Sequence, residues 1–354
     1  MRVLQLIDSL DAGGAERIAV TFANALSAQP DASHLCVTRS EGVLKQQLLN
    51  EVGYVFVRKS NTLDLKAAIR LKKYLKEHRI GIIHAHTTSY FFASLVKMLY
   101  PKVQLIWHAH LGYRAQTSRW KNKALFICSH FFTSIITVNE ALETWCKKKL
   151  AVKDVHYLPN FVDTSRFQHS EEELREKSII CLANLKAPKN HLNLVQAFHQ
   201  ISMKFRDWKL LLAGREFNDS YSEKLRETVN KIGLQNKVVF LGQQSEVETL
   251  LTRSRIGVLA SDSEGLPMAL LEYGAAGLAV VSTDVGQCAS VISDYGKLVP
   301  ANDPKTLSIA LSEYMNNEEK RRSDALAYQQ HIIKHYAATA VMPQLTKIYN
   351  GATH

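Results

Sequence analysis

Short apolar runs alternate with longer amphipathic stretches along the whole chain. In the first half the runs read RVLQLID, HLCVTR, YVFVRK, IGIIHAH, QLIWHAH and SIITVN. Apolar residues at helical spacing predict helices between them, for example over residues 15–28 and 63–78. This alternation is typical of strand-helix-strand units that build a parallel sheet.

A second series of the same kind begins after residue 177. Its runs are SIICLAN, KLLLAG, KVVFLG, IGVLAS and LAVVST, and a helical tail follows over residues 304–349. The segment between the series, YLPNFVDTSRFQHSEEELREKS, is polar and contains a Pro-Asn turn signal, so we predict a linker there. The fold class is therefore α/β, with two doubly wound domains. Ligands of such sheets bind beyond the carboxyl ends of the strands, so we expect a cleft between those ends.

Composition narrows the choice of partner and compartment. The 44 Lys and Arg residues exceed the 33 Asp and Glu residues by 11, which favours an anionic ligand or surface. The five cysteines are scattered without metal-ligand spacing, as in proteins of a reducing compartment. The N-terminus lacks a signal-peptide pattern, and the longest apolar run, LFICSHFFTSIITV, is too short to span a bilayer. We therefore expect a cytoplasmic protein.

The segment EGLPMALLE follows a predicted strand and opens a predicted helix. Pro267 suits the first helical turn. Glu264 lies before the helix and Glu272 about two turns along it, so the two carboxylates can contact different parts of one ligand. The alternative is that Glu264 only complements the helix dipole and Glu272 is solvated, but the apolar neighbours of Glu272 argue against a solvated position. Free backbone N–H groups at such a helix start favour phosphate, and here they belong to Leu266, Met268 and Ala269.

Two further loops follow predicted strands. DAGGAER contains Gly13 and Gly14, which allow a tight turn and close backbone approach before a helix that opens at Ala15. It lacks the third glycine of a dinucleotide fingerprint. ANLKAPKNH places Lys186 and Lys189 where a pyrophosphate would need positive charge, although surface lysines are usually only solvated.

Together these motifs resemble the retaining glycosyltransferases of family 4, which have the two-domain GT-B fold. GGAER matches the family's glycine loop, PNFVDTSRF its inter-domain segment, EGLPMALLE its paired-glutamate motif, and VVFLGQQSEVETLL the strand and helix beside the nucleotide base. The resemblance covers nearly the whole chain. It implies an N-terminal acceptor-side domain over 1–165, onto which 338–354 pack back, and a nucleotide-sugar domain over 166–337.

The resemblance also implies roles for individual residues. Lys189 would neutralise the leaving diphosphate, Glu264 would contact the transferred sugar, and His110 in QLIWHAHLG would be the sugar-contacting histidine. His108 is a rival, because alternate strand positions share a face. The implied donor-binding residues are Gly14, Lys186, Asn184, Gly265, Leu266, Met268, Ala269 and Glu272.

One departure from the family pattern concerns the diphosphate. The family usually has Gly-Arg where this chain has Ala183-Asn184, and Lys186 is the candidate replacement for the arginine. Transfer with retention, in which the departing phosphate deprotonates the acceptor, requires no protein base. No Asp-x-Asp pattern calls for a metal, so we expect no cofactor besides the nucleotide sugar. By analogy with the family, the expected nucleotide is uridine diphosphate.

The acceptor side is less defined by the sequence. A glycan or lipid-linked acceptor in surface polysaccharide synthesis is implied by the resemblance. The basic stretches RAQTSRWKNK and KKK would hold the protein at the inner face of an anionic membrane, unless they are an ordinary solvated surface. No nucleic-acid-binding motif is present. The alternatives are a non-catalytic binding subunit and a nucleotide-sugar epimerase or hydrolase on the same fold.

Overall fold

The computed structural model describes residues 1–11, 13–28, 32–110, 122–167, 174–244 and 246–352. The chain forms two compact units, which we call unit 1 (Met1–Asn160 with Ala338–His354) and unit 2 (Phe161–Ala337). The family resemblance implies a boundary after residue 165, whereas the structure divides the chain after Asn160.

Unit 1 is a doubly wound domain. Its described strands are β1 (Val3–Ser9), β2 (Ser33–Ser40), β3 (Gly53–Phe56), β4 (Ile82–His86), β5 (Gln104–Ala109), β6 (Ser134–Thr137) and β7 (Val155–Tyr157). They pair in parallel in the order β3-β2-β1-β4-β5-β6-β7. The helices between them are α1 (Gly14–Leu26), α2 (Leu65–Glu77), α3 (Tyr90–Leu99), α4 (Lys123–Cys128) and α5 (Glu140–Lys149). Every residue of β4 is buried, which explains its continuous rather than alternating apolar pattern.

Unit 2 repeats this architecture. Its strands, within the described ranges, are β8 (Ser178–Leu182), β9 (Lys209–Ala213), β10 (Val238–Gly242), β11 (Ile256–Leu259), β12 (Ala279–Thr283) and β13 (Lys297–Val299). They form a parallel sheet in the order β10-β9-β8-β11-β12-β13. Its helices are α6 (His191–Ser202), α7 (Ser220–Lys231), α8 (Glu248–Arg253), α9 (Met268–Ala275), α10 (Cys288–Ile292), α11 (Pro304–Asn316) and α12 (Glu318–Tyr336).

The last helix, α13 (Ala338–Ala352), belongs to unit 1. Tyr349 on this helix is completely buried, and its hydroxyl lies 2.7 Å from Nδ1 of His84 on β4. Gln5 on β1 donates to the same hydroxyl at 3.2 Å. The prediction that the C-terminal helix returns to the N-terminal domain is therefore confirmed.

The sequence pattern missed two strands, β7 and β13. Each has three residues and lies at the edge of its sheet, where pairing on one side leaves little apolar periodicity to detect. The predicted linker accordingly begins too early, because Tyr157 still belongs to β7. The five cysteines are all buried, and none of them forms a disulfide bond.

Candidate active site

The paired-glutamate motif lies at the carboxyl edge of the unit 2 sheet, after β11. Nζ of Lys189 lies 2.6 Å from Oε1 of Glu264, and the hydroxyl of Ser261 donates to the same oxygen at 2.6 Å. The Glu264 side chain is only 8% exposed, whereas that of Lys189 is 22% exposed. A carboxylate this buried needs these partners, since an unpaired one would carry a large desolvation cost.

The loop after β8 is fastened to the loop after β11. Asn190 adopts a left-handed conformation with φ of 45° and caps α6 by accepting a hydrogen bond from the Asn193 N–H. Its amide donates to Asp262 at 2.7 Å, and the Asp262 N–H donates to the Pro188 carbonyl at 2.9 Å. These contacts bring Lys189, which follows Pro188, opposite Glu264.

The loop after β12 packs against the backbone of the paired-glutamate motif. Gly286 has φ of +57°, and a Cβ atom there would lie 2.1 Å from the carbonyl oxygen of Glu264. The N–H of Gln287 donates to the Gly265 carbonyl at 3.0 Å. Only glycine permits both this backbone conformation and this close approach, so Gly286 fixes the path of the chain at Glu264.

Helix α9 carries the second glutamate. The helix begins at Met268 and Pro267 is its N-cap residue, which corrects our prediction that the proline occupies the first turn. Leu266, Met268 and Ala269 are buried at the helix start, and Glu272 is only 6% exposed. The solvated alternative for Glu272 is therefore wrong.

Tyr273, the next residue on α9, joins the strands beneath the motif. Its hydroxyl accepts a hydrogen bond from the Leu182 N–H at 2.7 Å and donates to the Val258 carbonyl at 3.2 Å. Its ring packs against Gly257, where a Cβ atom would come within 2.5 Å of the ring. The sequence pattern gave no reason to single out Tyr273.

The family's Gly-Arg pair, which is replaced by Ala183-Asn184 in this chain, has a counterpart after the neighbouring strand β9. A Cβ atom at Gly214, just after β9, would lie 2.0 Å from the Ala183 carbonyl oxygen. The side-chain oxygen of Asn184 accepts from the Arg215 N–H at 2.9 Å, and the Leu185 N–H donates to the Arg215 carbonyl at 2.9 Å. The Gly-Arg pair absent from the end of β8 is thus present at the end of β9, against the same loop.

Arg215 is a functional candidate that the sequence reasoning missed. Its guanidinium is 5.1 Å from the centre of the Phe217 ring, a cation-π contact that restrains it. Lys186, the replacement suggested by the sequence, is exposed on its loop. The signal that was available is the arginine directly after the predicted strand KLLLAG, which forms a Gly-Arg pair with the last residue of that run.

The histidines of unit 1 collect at the carboxyl ends of β4 and β5. His86 and His108 are register partners on these strands. His84, His86 and His108 are completely buried, whereas His110 is half-buried and stacks on His108 with ring centroids 3.9 Å apart. Phe22 of α1 packs against the three buried rings. His108 is thus enclosed, and His110 is the member of the pair with an open side.

These imidazoles are neutral at pH 7. Burial lowers the pKa of both His84 and His110 to about 3, because the charged form would lose its hydration. Burial and the neighbouring imidazoles hold the pKa of His86 and His108 well below the ordinary value.

One nitrogen from each of His84, His86 and His108 lies within 4.8 Å of the others, a spacing at which three histidines can share a metal ion. The ring planes of His84 and His108, however, are 9° apart and stacked. Imidazole lone pairs lie in the ring plane, so these two point side by side rather than toward one centre. His86 already uses both nitrogens, toward Gln5 and His110. Nε2 of His84 and both ring nitrogens of His108 have no hydrogen-bond partner among the described residues, so of the three only His86 is hydrogen-bonded at both nitrogens.

The glycine loop precedes α1 in unit 1. Gly13 is the extended N-cap residue, and the helix begins at Gly14, one residue before the predicted Ala15. Glu16 lies in the first turn of the helix.

An open cavity of about 510 Å³ lies at the carboxyl ends of β1, β2 and β4. Asp8 at its floor accepts hydrogen bonds from Thr38 at 2.5 Å and Thr88 at 2.8 Å, and Nζ of Lys59 is 3.4 Å away. Burial raises the pKa of Asp8, but these partners outweigh it and hold the pKa below its usual value. The cavity is lined by Asp8, Arg39, Lys59, Thr62, Thr88, Tyr90, Phe91 and Ala124.

Of the two basic stretches, RAQTSRWKNK lies outside the described residues apart from its last two positions. The other, Lys147–Lys149, is exposed at the end of α5. Among the helices that the structure describes, none combines the length and apolar character needed to cross a membrane.

Two family models match consecutive halves of the chain. Residues 12–166 match the model described as Glycosyltransferase Family 4, and residues 162–328 match Glycosyl transferases group 1. The chain belongs to these glycosyltransferases. The predicted family is thereby confirmed, and the glutamate motif, Lys189 and Arg215 all fall within the group 1 match.

Curated relatives of this glycosyltransferase are identical to it at about a quarter of the aligned positions. The chain is 27% identical over 338 residues to a Campylobacter jejuni enzyme, GalNAc-alpha-(1->4)-GalNAc-alpha-(1->3)-diNAcBac-PP-undecaprenol alpha-1,4-N-acetyl-D-galactosaminyltransferase, covering 91% of each chain. It is 28% identical to N-acetyl-alpha-D-glucosaminyl L-malate synthase of Bacillus anthracis, over 56% of this chain and 54% of that protein.

Solved structures confirm the GT-B fold. Anabaena HepE, crystallised in complex with UDP and glucose, matches with a TM-score of 0.85 at 16% identity, over 99% of this chain and 100% of HepE.

Proposed function

We propose that this glycosyltransferase transfers a sugar from a nucleotide diphosphate sugar, with UDP as the nucleotide, to a glycan or lipid-linked acceptor. The observation that carries the proposal is the Lys189–Glu264 pair at the carboxyl edge of the unit 2 sheet. UDP in the HepE complex supports the choice of nucleotide. The PP-undecaprenol acceptor named for the Campylobacter relative supports the acceptor class and a role in surface polysaccharide synthesis.

In this mechanism the Lys189–Glu264 ion pair separates when the nucleotide sugar binds, and Lys189 then contacts the diphosphate. The diphosphate competes for the ammonium of Lys189, which then neutralises the charge of the departing nucleotide. Glu264, held by Ser261, contacts the transferred sugar and shields its developing positive charge. Buried Glu272 accepts hydrogen bonds from the ribose hydroxyls, and the backbone N–H groups at the start of α9 face the phosphates.

The acceptor hydroxyl attacks from the face on which the nucleotide leaves, so the anomeric configuration is retained. Its proton passes to the departing phosphate while the new glycosidic bond forms and the sugar-phosphate bond breaks. Lys189 and Arg215 would supply the positive charge that many transferases take from a divalent ion. His110, neutral and half-buried, contacts the transferred sugar.

The acceptor is assigned to unit 1. The cavity above Asp8 offers two cations, two threonine hydroxyls and two aromatic rings, a combination suited to a hydroxylated and negatively charged acceptor. The exposed Lys147–Lys149 would face the anionic inner surface of the membrane that holds a lipid-linked acceptor.

The test is a screen of the purified protein against a panel of nucleotide sugars, read by thermal shift and nucleotide release. We expect one donor to stabilise the protein and to be turned over slowly, with both effects lost in Glu272→Ala. Glu227→Ala, an exposed glutamate on α7, is the matched control and should behave as wild type.

Three other results would point elsewhere. A folded protein that responds to no donor would favour the non-catalytic binding subunit, the reading that Asn184 in place of an arginine suggests. Stoichiometric free sugar would indicate a hydrolase, and an isomerised donor an epimerase.

A further inference from the structure

A chain of side-chain hydrogen bonds runs through unit 1 from its last helix to His110. The Tyr349 hydroxyl lies 2.7 Å from Nδ1 of His84 and accepts from Nε2 of Gln5 at 3.2 Å. Oε1 of Gln5 is 2.8 Å from Nε2 of His86. Nδ1 of His86 is 3.0 Å from Nε2 of His110. Every link joins residues far apart in sequence, so only the folded unit creates the chain.

The orientation of the Gln5 amide, with Nε2 toward Tyr349 and Oε1 toward His86, sets the tautomers along the chain. Oε1 of Gln5 can only accept, so Nε2 of His86 carries a hydrogen. Since burial keeps His86 neutral, its Nδ1 is then a lone pair, and Nε2 of His110 must donate to it. Neutral His110 therefore has an unprotonated Nδ1. Among the described residues Nδ1 has no hydrogen-bond partner, and His110 is half-buried.

The other end of the chain is the Tyr349 hydroxyl, which contacts both Gln5 and His84. The Gln5 NH₂ group donates to the Tyr349 oxygen at 3.2 Å, and this oxygen lies 2.7 Å from Nδ1 of His84. Rotating the amide by half a turn would reverse every donor as far as His110 and place a hydrogen on its Nδ1. One amide orientation thus determines whether His110 offers a lone pair or an N–H.

We propose that Gln5 and Tyr349 are positioning residues that keep His110 in the Nε2–H tautomer, so that its Nδ1 accepts a hydrogen bond from a hydroxyl of the transferred sugar. The proposal rests on the proposed function, which assigns the sugar contact to His110. It extends that function by stating that the sugar hydroxyl donates and His110 accepts in this contact. It also names two residues that act on His110 without touching the sugar.

The direct test is nitrogen NMR of histidine-labelled protein, which distinguishes protonated from unprotonated ring nitrogens. His110, assigned with the His110→Asn variant, should show Nε2 protonated and Nδ1 unprotonated at pH 7. In Gln5→Met, which removes both amide groups at similar volume, the resonances should shift toward a mixture of tautomers. A protonated Nδ1 in the wild-type protein, or an unchanged spectrum in Gln5→Met, would overturn the proposal.

Kinetics supply the second readout. Losing one oriented hydrogen bond corresponds to about a tenfold fall in kcat/KM, which we expect for Gln5→Met. Tyr349→Phe keeps the Gln5–His86–His110 links but frees one side of the amide, so its loss should be smaller, about threefold. Tyr74→Phe is the matched control, because its hydroxyl also bonds a buried histidine, His34, at 2.9 Å but lies outside the chain.

The outcomes separate this proposal from the proposed function. If wild-type protein turns over no nucleotide sugar, the function fails whatever the NMR shows. If wild-type protein is active and folded Gln5→Met and Tyr349→Phe match it, the positioning role fails and the function stands.

Discussion

The two sheets of this glycosyltransferase have the same doubly wound topology but differ in the side chains at the carboxyl ends of their central strands. Unit 2 presents a charged edge, in which buried Glu264 is held by Lys189 and Ser261. At the ends of β4 and β5, unit 1 presents stacked neutral imidazoles. A fixed charge pair suits a diphosphate leaving group, whereas neutral rings suit hydroxyl groups whose polarity must be matched.

The largest expected effect comes from removing the cation of the charged edge. Lys189→Ala should lower kcat by about 10²–10³-fold, because the proposed mechanism assigns to Lys189 the charge that stabilises the leaving diphosphate. Lys186→Ala, on the same loop but exposed, is the control and should lose far less. Steady-state kinetics measure kcat of both variants, and circular dichroism checks that they are folded. Equal losses in the two variants would place the diphosphate elsewhere.

Arg215→Gln should have the next largest effect. A charged hydrogen bond contributes about 1.5–3 kcal/mol, so donor affinity should fall by roughly ten- to a hundredfold. Titration calorimetry with UDP measures it, and exposed Arg206→Gln serves as the control. If Arg215→Gln binds UDP like the wild type, the Gly-Arg pair at the end of β9 does not replace the missing one.

Comparing Gly286→Ala with Gly233→Ala separates the effect of backbone conformation on stability from the effect on the candidate site. Gly286 and Gly233 both have positive φ, but only Gly286 packs against Glu264, while Gly233 has open space around it. Each change to alanine should cost about 1 kcal/mol of unfolding free energy from the backbone. Only Gly286→Ala should also lower kcat. Comparable activity of the two variants would show that Glu264 tolerates the displacement.

The pH effect changes stability rather than activity, and it comes from the histidines at the ends of β4 and β5. His84 has its pKa lowered to about 3, so below pH 6.5 the unfolded chain binds a proton that the folded protein does not. Stability should therefore fall as pH drops from 6.5 toward 3, by at most about 1.4 kcal/mol per pH unit for this residue. Urea unfolding at pH 7, 6 and 5 tests this, and His84→Phe should reduce the slope by the share of His84, while His86, His108 and His110, whose pKa values are also lowered, keep theirs. An equally steep slope in that variant would exclude His84 as the source.

Local pattern was sufficient for most of the fold. All eleven apolar runs predicted as strands contain one, because strands buried on both faces are written as short continuous apolar segments. The loops carrying Glu264 and Lys189 were also predictable, since each follows such a run. The short edge strands β7 and β13 were not, because three residues do not establish a period.

The sequence by itself determined the two α/β domains, the family, and which types of residue follow each strand. Tertiary structure alone decided which of them meet. Register and sheet order brought Lys189 to Glu264, set Gly214-Arg215 against Ala183-Asn184, and left His110 open while enclosing His108. Only the return of α13 brought Tyr349 to Gln5 and His84. Hydrogen bonds and ion pairs depend on distances of a few ångströms between residues remote in sequence, and those distances are fixed by packing rather than by local pattern.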